Sequence, residues 1–172
     1  EYARRGYSFI LNGYYNHITN KIATGAPYLA HPTDPIPHLS YINLAAHSVV
    51  GMEAAVQGHW RNGLTARLAY TLTAENLPRN KAGERMSAQY IPARKHSLMV
   101  HADWEHRFHK NFGMTLGIDG RYLSGVTNPE YIDYYDVSKG MRDIEYPGYT
   151  LWKLSAAGQF KKGVKVTLAL DN

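Results

Sequence analysis

The sequence contains no cysteine, which excludes a disulfide framework, thiolate catalysis and any zinc or iron–sulfur site built on cysteine. No run of apolar residues approaches the roughly 18 residues that a membrane-spanning helix needs. Charged residues make up only 19%, and Lys and Arg exceed Asp and Glu by 19 to 14 in a scattered distribution, so nothing indicates nucleic-acid binding. The sequence is rich instead in Tyr (14) and Gly (15), and its 44% hydrophobic content excludes a disordered chain.

Apolar and polar residues alternate with a period of two along most of the chain, which is typical of β-strands that have two different faces. In the clearest segment, residues 64–74, Leu68 and Leu72 share one face and Arg67 lies on the other. Seven such segments are predicted, at 7–18, 42–60, 64–74, 96–108, 112–122, 152–160 and 164–170. The sequence therefore predicts an all-β fold, an antiparallel meander of about seven long strands.

Strand length and connection length indicate part of a transmembrane β-barrel, because alternation alone also fits a soluble sandwich. The segments run to about 10–13 residues, whereas a tilted strand needs about 9–11 to cross a bilayer. Tight polar turns at 61–63, 109–111 and 161–163 alternate with long connections at 19–40, 75–94 and 124–147. Outer-membrane barrels sort their turns in this way, with tight turns at one rim and long loops at the other.

The two predicted faces also fit a barrel wall. Aromatic residues lie near strand ends on the apolar face, as in the interfacial girdles of barrels: Trp60, Tyr70, Trp104, Phe108, Phe112, Tyr122, Trp152 and Phe160. The opposite face carries charges of both signs, which a wet lumen tolerates: Arg67, Asp103, Glu105, Arg107, Asp119, Arg121, Lys153 and Lys165. Core packing and an ordinary solvated sheet face are the alternatives.

We expect the sequence pattern to continue beyond both ends of the chain. The sequence begins at Glu1 without an initiator methionine or a signal peptide, and Asn172 ends an alternating run. Bacterial barrels close with an even number of strands, and an open edge in lipid is costly. We therefore expect residues 1–172 to be one segment of a larger barrel.

Six weak motifs, in order and spacing, resemble TonB-dependent outer-membrane receptors over essentially the whole chain. Residues 7–18 resemble a strand with a Y-x-x-x-I ending, 43–45 with 51–54 an N…G-x-E strand, and 68–75 a Y-T-Y…A strand. Residues 91–96 are similar to I-P-x-x-P-H. Residues 149–154 resemble an aromatic-rich strand, and 168–172 stop where the family continues into N-L-F-D.

The resemblance implies a barrel of about 22 strands with an N-terminal plug in the outer membrane of a Gram-negative bacterium. Residues 1–172 would be one piece of that single β-barrel domain, with the plug and the final strand absent. Its implied partners are outer-membrane lipid, TonB acting through the missing plug, and a cargo that is a ferric siderophore (a small-molecule iron chelate), haem or cobalamin. We expect no enzymatic activity, resident cofactor or metal, and no nucleic acid.

Two of the long connections offer charged or ligating residues for cargo capture. His31 and His38, seven residues apart among prolines in the first connection, are candidates for contact with haem iron. Arg79 and Arg85 in the second connection are candidates for attracting an anionic iron chelate. Surface histidines and a merely solvated charged loop are the alternatives.

The third long connection offers aromatic residues. Tyr131, Tyr134 and Tyr135 are candidates for stacking against a catechol, porphyrin or corrin, with loop packing as the alternative. As a different class of function, a soluble secreted or periplasmic β-domain would bind a glycan or a protein through the same tyrosines. A small stand-alone barrel is a third interpretation.

Two further groups of titratable residues lie on or directly after the predicted strand 96–108, one of histidines and one of carboxylates. His101 and His106 are predicted on opposite faces of one strand and His109 in the turn after it, so a shared metal is not expected. Asp103 and Glu105 share a face, but we expect arginine neighbours to make ion pairs with them rather than a catalytic carboxylate pair.

Overall fold

The computed structural model describes residues 2–4, 6–20, 22–28, 31–33, 35, 38–43, 46–76, 93–133, 136–161 and 163–172. These residues form twelve β-strands and one short 3-10 helix at Val137–Lys139. No helix in these ranges is long and apolar enough to cross a membrane. The strands are β1 (Tyr2–Arg4), β2 (Tyr7–Ile18), β3 (Ile22–Tyr28), β4 (His38–Asn43), β5 (His47–His59), β6 (Leu64–Glu75), β7 (His96–His109), β8 (Phe112–Leu123), β9 (Val126–Tyr131), β10 (Met141–Tyr146), β11 (Tyr149–Phe160) and β12 (Lys165–Asp171).

Eight of the strands form one antiparallel sheet in the order β1-β2-β5-β6-β7-β8-β11-β12. Each strand pairs with the next sheet strand along the chain, so the sheet is a meander. Seven of the eight are long, and only β1 has three residues, which confirms the predicted meander of about seven long strands. Within the described residues β1 and β12 each pair on one side only, so the sheet does not close into a barrel.

The long connections contain strand pairs that the sequence pattern did not predict. β3 pairs with β4 and β9 with β10, each as a separate two-stranded hairpin. The predicted strand 42–60 is wrong at its start, because β4 ends at Asn43 and β5 begins only at His47. These hairpin strands contain Pro and charged residues rather than a clean alternation. Antiparallel pairing satisfies their backbone hydrogen bonds without an apolar face to mark them in the sequence.

The short and long connections lie at opposite ends of the sheet, as predicted. At the tight-turn end, the amide of Trp60 donates to the carbonyl of Leu64 (2.8 Å) and that of Phe160 to Val164 (2.8 Å). Gly63 has φ 85°, and a Cβ there would lie 1.9 Å from the carbonyl oxygen of Glu105 on the next strand. Only glycine fits that turn. The three long connections, which include both hairpins, leave the other end, named here the long-connection end.

Strand register separates two faces across the whole sheet. Leu68, Val100 and Gly120 are directly opposite one another on β6, β7 and β8 and define the apolar face. Arg67, which precedes Leu68, is paired with His101, which follows Val100. These two residues define the polar face. The predicted assignment of residues to faces is therefore confirmed along these strands.

The described residues place no second layer of structure against the apolar face. Large apolar side chains on it are consequently exposed, for example Leu154 at 50% and Leu168 and Leu170 each at 71%. A soluble domain buries such a face against another layer. This sheet instead has one polar and one apolar surface, as the wall of a membrane barrel does.

Candidate functional site

A row of charged side chains crosses the polar face from strand to strand. Successive paired residues are Arg67 on β6, His101 on β7, Asp119 on β8, Lys153 on β11 and Asp171 on β12. Cross-strand neighbours on one face lie close enough to interact, and opposite charges there are favourable. The register therefore brings side chains that are scattered in the sequence into one row, in which Asp119, Lys153 and Asp171 alternate in charge.

Within this row, His101 lies between two carboxylates. Its Nδ1 lies 2.7 Å from Oδ1 of Asp119 and its Nε2 lies 2.7 Å from Oδ2 of Asp103. An ionised carboxylate only accepts hydrogen bonds, so both contacts are hydrogen bonds together only in the doubly protonated form of the ring. The expected arginine partners of Asp103 are not the ones observed. Within the described part of the chain its ion-pair partner is His101.

A glycine makes room for this cluster. A Cβ at Gly117 would lie 2.6 Å from Oγ of Ser155 and 2.7 Å from Oδ1 of Asp103. Those distances are shorter than real contacts, so any side chain at this position would displace Asp103 or Ser155. Gly117 therefore helps to set the position of the carboxylate that His101 contacts.

The row borders a depression of about 510 Å³ on the polar face. Arg67, Arg121 and Lys153 contribute cations to its lining, beside the apolar side chains of Met99 and Leu151. His101, Asp119 and Asp171 also line it, so the depression presents charges of both signs to a polar molecule. A larger depression of about 600 Å³ has a mainly apolar lining and does not suit such a molecule.

The described residues hold no group of three or more His, Cys, Asp or Glu arranged to bind a metal ion. Of the four histidines of β7, His101 and His106 lie on opposite faces of the sheet, as the sequence predicted. His101 is paired with Asp119 on the polar face and His106 with Met114 on the apolar face. His109 is the last residue of β7 rather than part of the turn, which corrects the prediction for that residue.

The predicted cargo residues lie in different hairpins at the long-connection end. His31 is exposed in the link between β3 and β4, and His38 is the exposed first residue of β4. The structure thus brings the two histidines to the same end of one hairpin. Tyr131 ends β9 and is half-buried opposite Met141 in the other hairpin. Tyr134, Tyr135, Arg79 and Arg85 lie outside the described residues.

The β9–β10 hairpin that carries Tyr131 is braced by its own polar side chains. Lys139 donates to Oδ2 of Asp133 at 2.7 Å and has Asp136 at 3.9 Å. The hydrogen bond to Asp133 raises the pKa of Lys139 above its ordinary value. The hydroxyl of Tyr146 donates to Oε1 of Glu130 at 2.7 Å. The acidic residues of this connection are therefore partly neutralised within the hairpin.

Two residues at the base of the connections were missed as functional candidates. Oε2 of Glu75 accepts from the amide of Ala93 at 3.0 Å, and its Oε1 lies 3.8 Å from Nε2 of the buried His47. Arg94 donates to the carbonyl of Ser124 and, at 3.3 Å, to that of Pro147. No local sequence pattern singles out Arg94, because both carbonyls that it contacts lie at least 30 positions away along the chain.

Aromatic rings form a continuous cluster on the apolar face near the tight-turn end. Trp104 stacks on His106 with centroids 5.2 Å apart, and Phe108 lies 5.8 Å from Phe112, which lies 5.2 Å from Phe160. The indole nitrogen of Trp104 donates to the carbonyl of Asn62 at 3.1 Å. Rings with an apolar body and a polar edge suit the level of lipid headgroups.

A single-layered antiparallel sheet with an exposed apolar face, aromatic rings near its tight turns and charges on its other face belongs to the class of membrane β-barrel walls. The sequence matches the family described as "TonB dependent receptor-like, beta-barrel" over residues 1–172, so the chain belongs to the TonB-dependent receptor β-barrel family. This confirms the family predicted from the motifs. Receptors of this family lie in outer membranes of Gram-negative bacteria, and the family is one of transporters rather than enzymes.

Comparison with solved structures supports the fold. The chain is similar to the FrpB iron transporter from Neisseria meningitidis (F3-3 variant), with a TM-score of 0.68 and 13% sequence identity. The match covers 99% of this chain and 25% of the transporter chain, so the chain spans about a quarter of the length of that protein. No curated protein matches the sequence significantly.

Proposed function

We propose that the chain forms part of an outer-membrane transporter that takes up a scarce nutrient and is energised through TonB. Residues 1–172 are one segment of its single β-barrel domain, and the plug that contacts TonB lies outside them. Family membership over the whole chain supports this proposal. The fold also supports it, since the chain matches a quarter of the length of an iron transporter chain.

The exposed apolar face is the observation that carries the proposal. Side chains from seven neighbouring strands contribute to it, among them Phe9, Val56, Leu68, Leu116, Trp152 and Leu168. Soluble monomers rarely expose a contiguous apolar patch of more than a few hundred Å². Lipid is the solvent in which such a face is stable, and a barrel wall is the way a sheet lies in lipid.

The cargo is proposed to be a ferric siderophore, haem or cobalamin, and the iron transporter among the structural neighbours favours the iron-bearing cargoes. Tyr131, Tyr134 and Tyr135 would stack against its aromatic groups, and Arg79 and Arg85 would attract its anionic groups. His31 and His38 would contact haem iron. The charged depression lined by Arg67, Arg121 and Lys153, together with Asp119 and Asp171, would follow on the path inward.

An uptake experiment on the natural protein tests this function. Cells with and without the gene are supplied with a labelled ferric catecholate, haemin or cyanocobalamin, each with and without a proton uncoupler. We expect gene-dependent, uncoupler-sensitive uptake of one of the three. A protein found in the soluble fraction, with no gene-dependent uptake of any of them, would contradict the proposal and favour a soluble binding domain.

A further inference from the structure

The base of the β9–β10 hairpin is a narrow waist in which two stretches of backbone nearly touch. A Cβ on Gly148 would lie 2.8 Å from the carbonyl oxygen of Leu123 and 3.0 Å from the amide nitrogen of Gly125. A Cβ on Gly125 would lie 3.1 Å from the carbonyl oxygen of Tyr146. The two limbs of the connection, 124–125 and 146–148, can approach this closely only because both positions are glycine.

One side chain from outside the hairpin crosses this waist. The guanidinium of Arg94 donates through Nη1 to the carbonyl oxygen of Ser124 on the first limb and to that of Pro147 on the second. Its Cζ also lies 5.0 Å from the centre of the Tyr149 ring, where the second limb enters β11. Arg94 therefore contacts both limbs and the first residue of the strand that follows.

The two limbs depend on Arg94 to different extents. The first limb has further anchors on β7, because the amide of Ser124 donates to the carbonyl of His96 (2.9 Å) and its Oγ accepts from the amide of His96 (3.0 Å). Pro147 has no amide hydrogen to donate. Its described hydrogen bond to the β7 side of the sheet is the one that its carbonyl oxygen accepts from Arg94. Loss of Arg94 should therefore free the second limb more than the first.

We propose that Arg94 is a positioning residue that holds the waist closed and so fixes the orientation of the β9–β10 hairpin. The part of this proposal that concerns cargo rests on the proposed function, because Tyr131 on this hairpin is a candidate cargo contact. Arginine is suited to the role because its planar group donates in more than one direction and stacks on an aromatic ring at the same time. Lysine offers a single ammonium and has no planar group to stack on the ring of Tyr149.

The first arm of the test needs no cargo. Amide hydrogen exchange is measured by mass spectrometry on the natural protein, folded in its membrane, for wild type, Arg94→Ala, Arg94→Lys and Lys95→Ala. Lys95 is the matched control, since it is the exposed neighbouring cation and its described contact is through its backbone carbonyl. We expect Arg94→Ala to speed exchange in Met141–Tyr146 by about tenfold, which corresponds to one lost charge-assisted hydrogen bond.

In the same arm, Arg94→Lys should give a smaller increase and Lys95→Ala a change of less than about twofold. Equal exchange in Arg94→Ala and Lys95→Ala would overturn the proposal. If Arg94→Ala fails to reach the membrane, Arg94→Gln, which keeps one donor and loses the charge, takes its place with the same expected direction.

The second arm measures the cargo concentration that gives half-maximal uptake, with rates normalised to folded receptor. We expect it to rise several-fold in Arg94→Ala while the normalised maximal rate stays near that of wild type. A loss confined to the maximal rate would show a merely structural role and overturn the positioning claim. Absence of uptake by the wild-type protein would contradict the proposed function instead, and the exchange result would still decide whether Arg94 closes the waist.

Discussion

Nδ1 of His101 lies 2.7 Å from Oδ1 of Asp119, the residue directly opposite it on the neighbouring strand. The other ring nitrogen contacts Asp103 at the same distance. The polar face of the sheet is therefore organised around a histidine that lies between two carboxylates.

Substitution of His101 by Ala should leave Asp103 and Asp119 facing each other without the imidazole ring that donates hydrogen bonds to them. All three side chains are between a third and about half exposed, so water weakens the effect. We expect the free energy of unfolding to fall by about 1 kcal/mol, measured by urea titration of the full protein in detergent. His101→Gln, which keeps a donor, should lose less, and an unchanged urea midpoint in both variants would count against the cluster.

Substitution of Gly117 by Ala should push the carboxylate of Asp103 away from His101, because the added Cβ would lie 2.7 Å from Oδ1. Gly113 on the same strand and face is the matched control, since a Cβ there would meet only the carbonyl of His106 at an ordinary 3.6 Å. We expect Gly117→Ala to cost about 1–3 kcal/mol of unfolding free energy and Gly113→Ala to cost little or nothing. Equal stabilities of the two variants would contradict the packing described for Asp103.

The strand pattern was predictable because it depends on local alternation, and six of the seven predicted segments match long strands closely. The β3–β4 and β9–β10 hairpins were not predictable in this way, since segments such as VTNPEY carry no apolar period. The contacts of His101 and Arg94 depend on register between distant residues. Arg94 and Pro147 are 53 positions apart, and no local pattern indicates which carbonyl a side chain will meet across that separation.

The Lys139–Asp133 pair should make the β9–β10 hairpin sensitive to strongly alkaline pH. Asp133 raises the pKa of Lys139, so the stabilising contribution is complete below the ordinary lysine pKa of about 10.4 and is lost as pH rises through the raised value. We expect proteolytic cleavage between Ile132 and Gly140 to accelerate over that range in wild type. Asp133→Asn should remove the pH dependence, whereas Asp136→Asn, whose carboxylate is 3.9 Å away, should retain it.

Glu75 should control the point where the second long connection returns to the sheet. Its carboxylate accepts from the amide of Ala93 and lies beside His47, which is only 3% exposed. We expect Glu75→Ala to speed hydrogen exchange at the Ala93 amide by up to about tenfold, because that amide loses its hydrogen-bond acceptor. Glu75→Gln keeps a carbonyl acceptor and should stay closer to wild type. Identical exchange at Ala93 in all three proteins would contradict this role.

The central claim is that one face of the sheet lies in lipid and the other in water. The most direct test places single cysteines along β11, in a segment with no cysteine of its own, and measures spin-label accessibility in native membranes. Labels at Trp152 and Leu154 should be relaxed by lipid-soluble oxygen, and labels at Lys153 and Ser155 by a water-soluble nickel chelate. The predicted result is this alternation with a period of two. Equal access of the nickel chelate to all four positions would contradict the account.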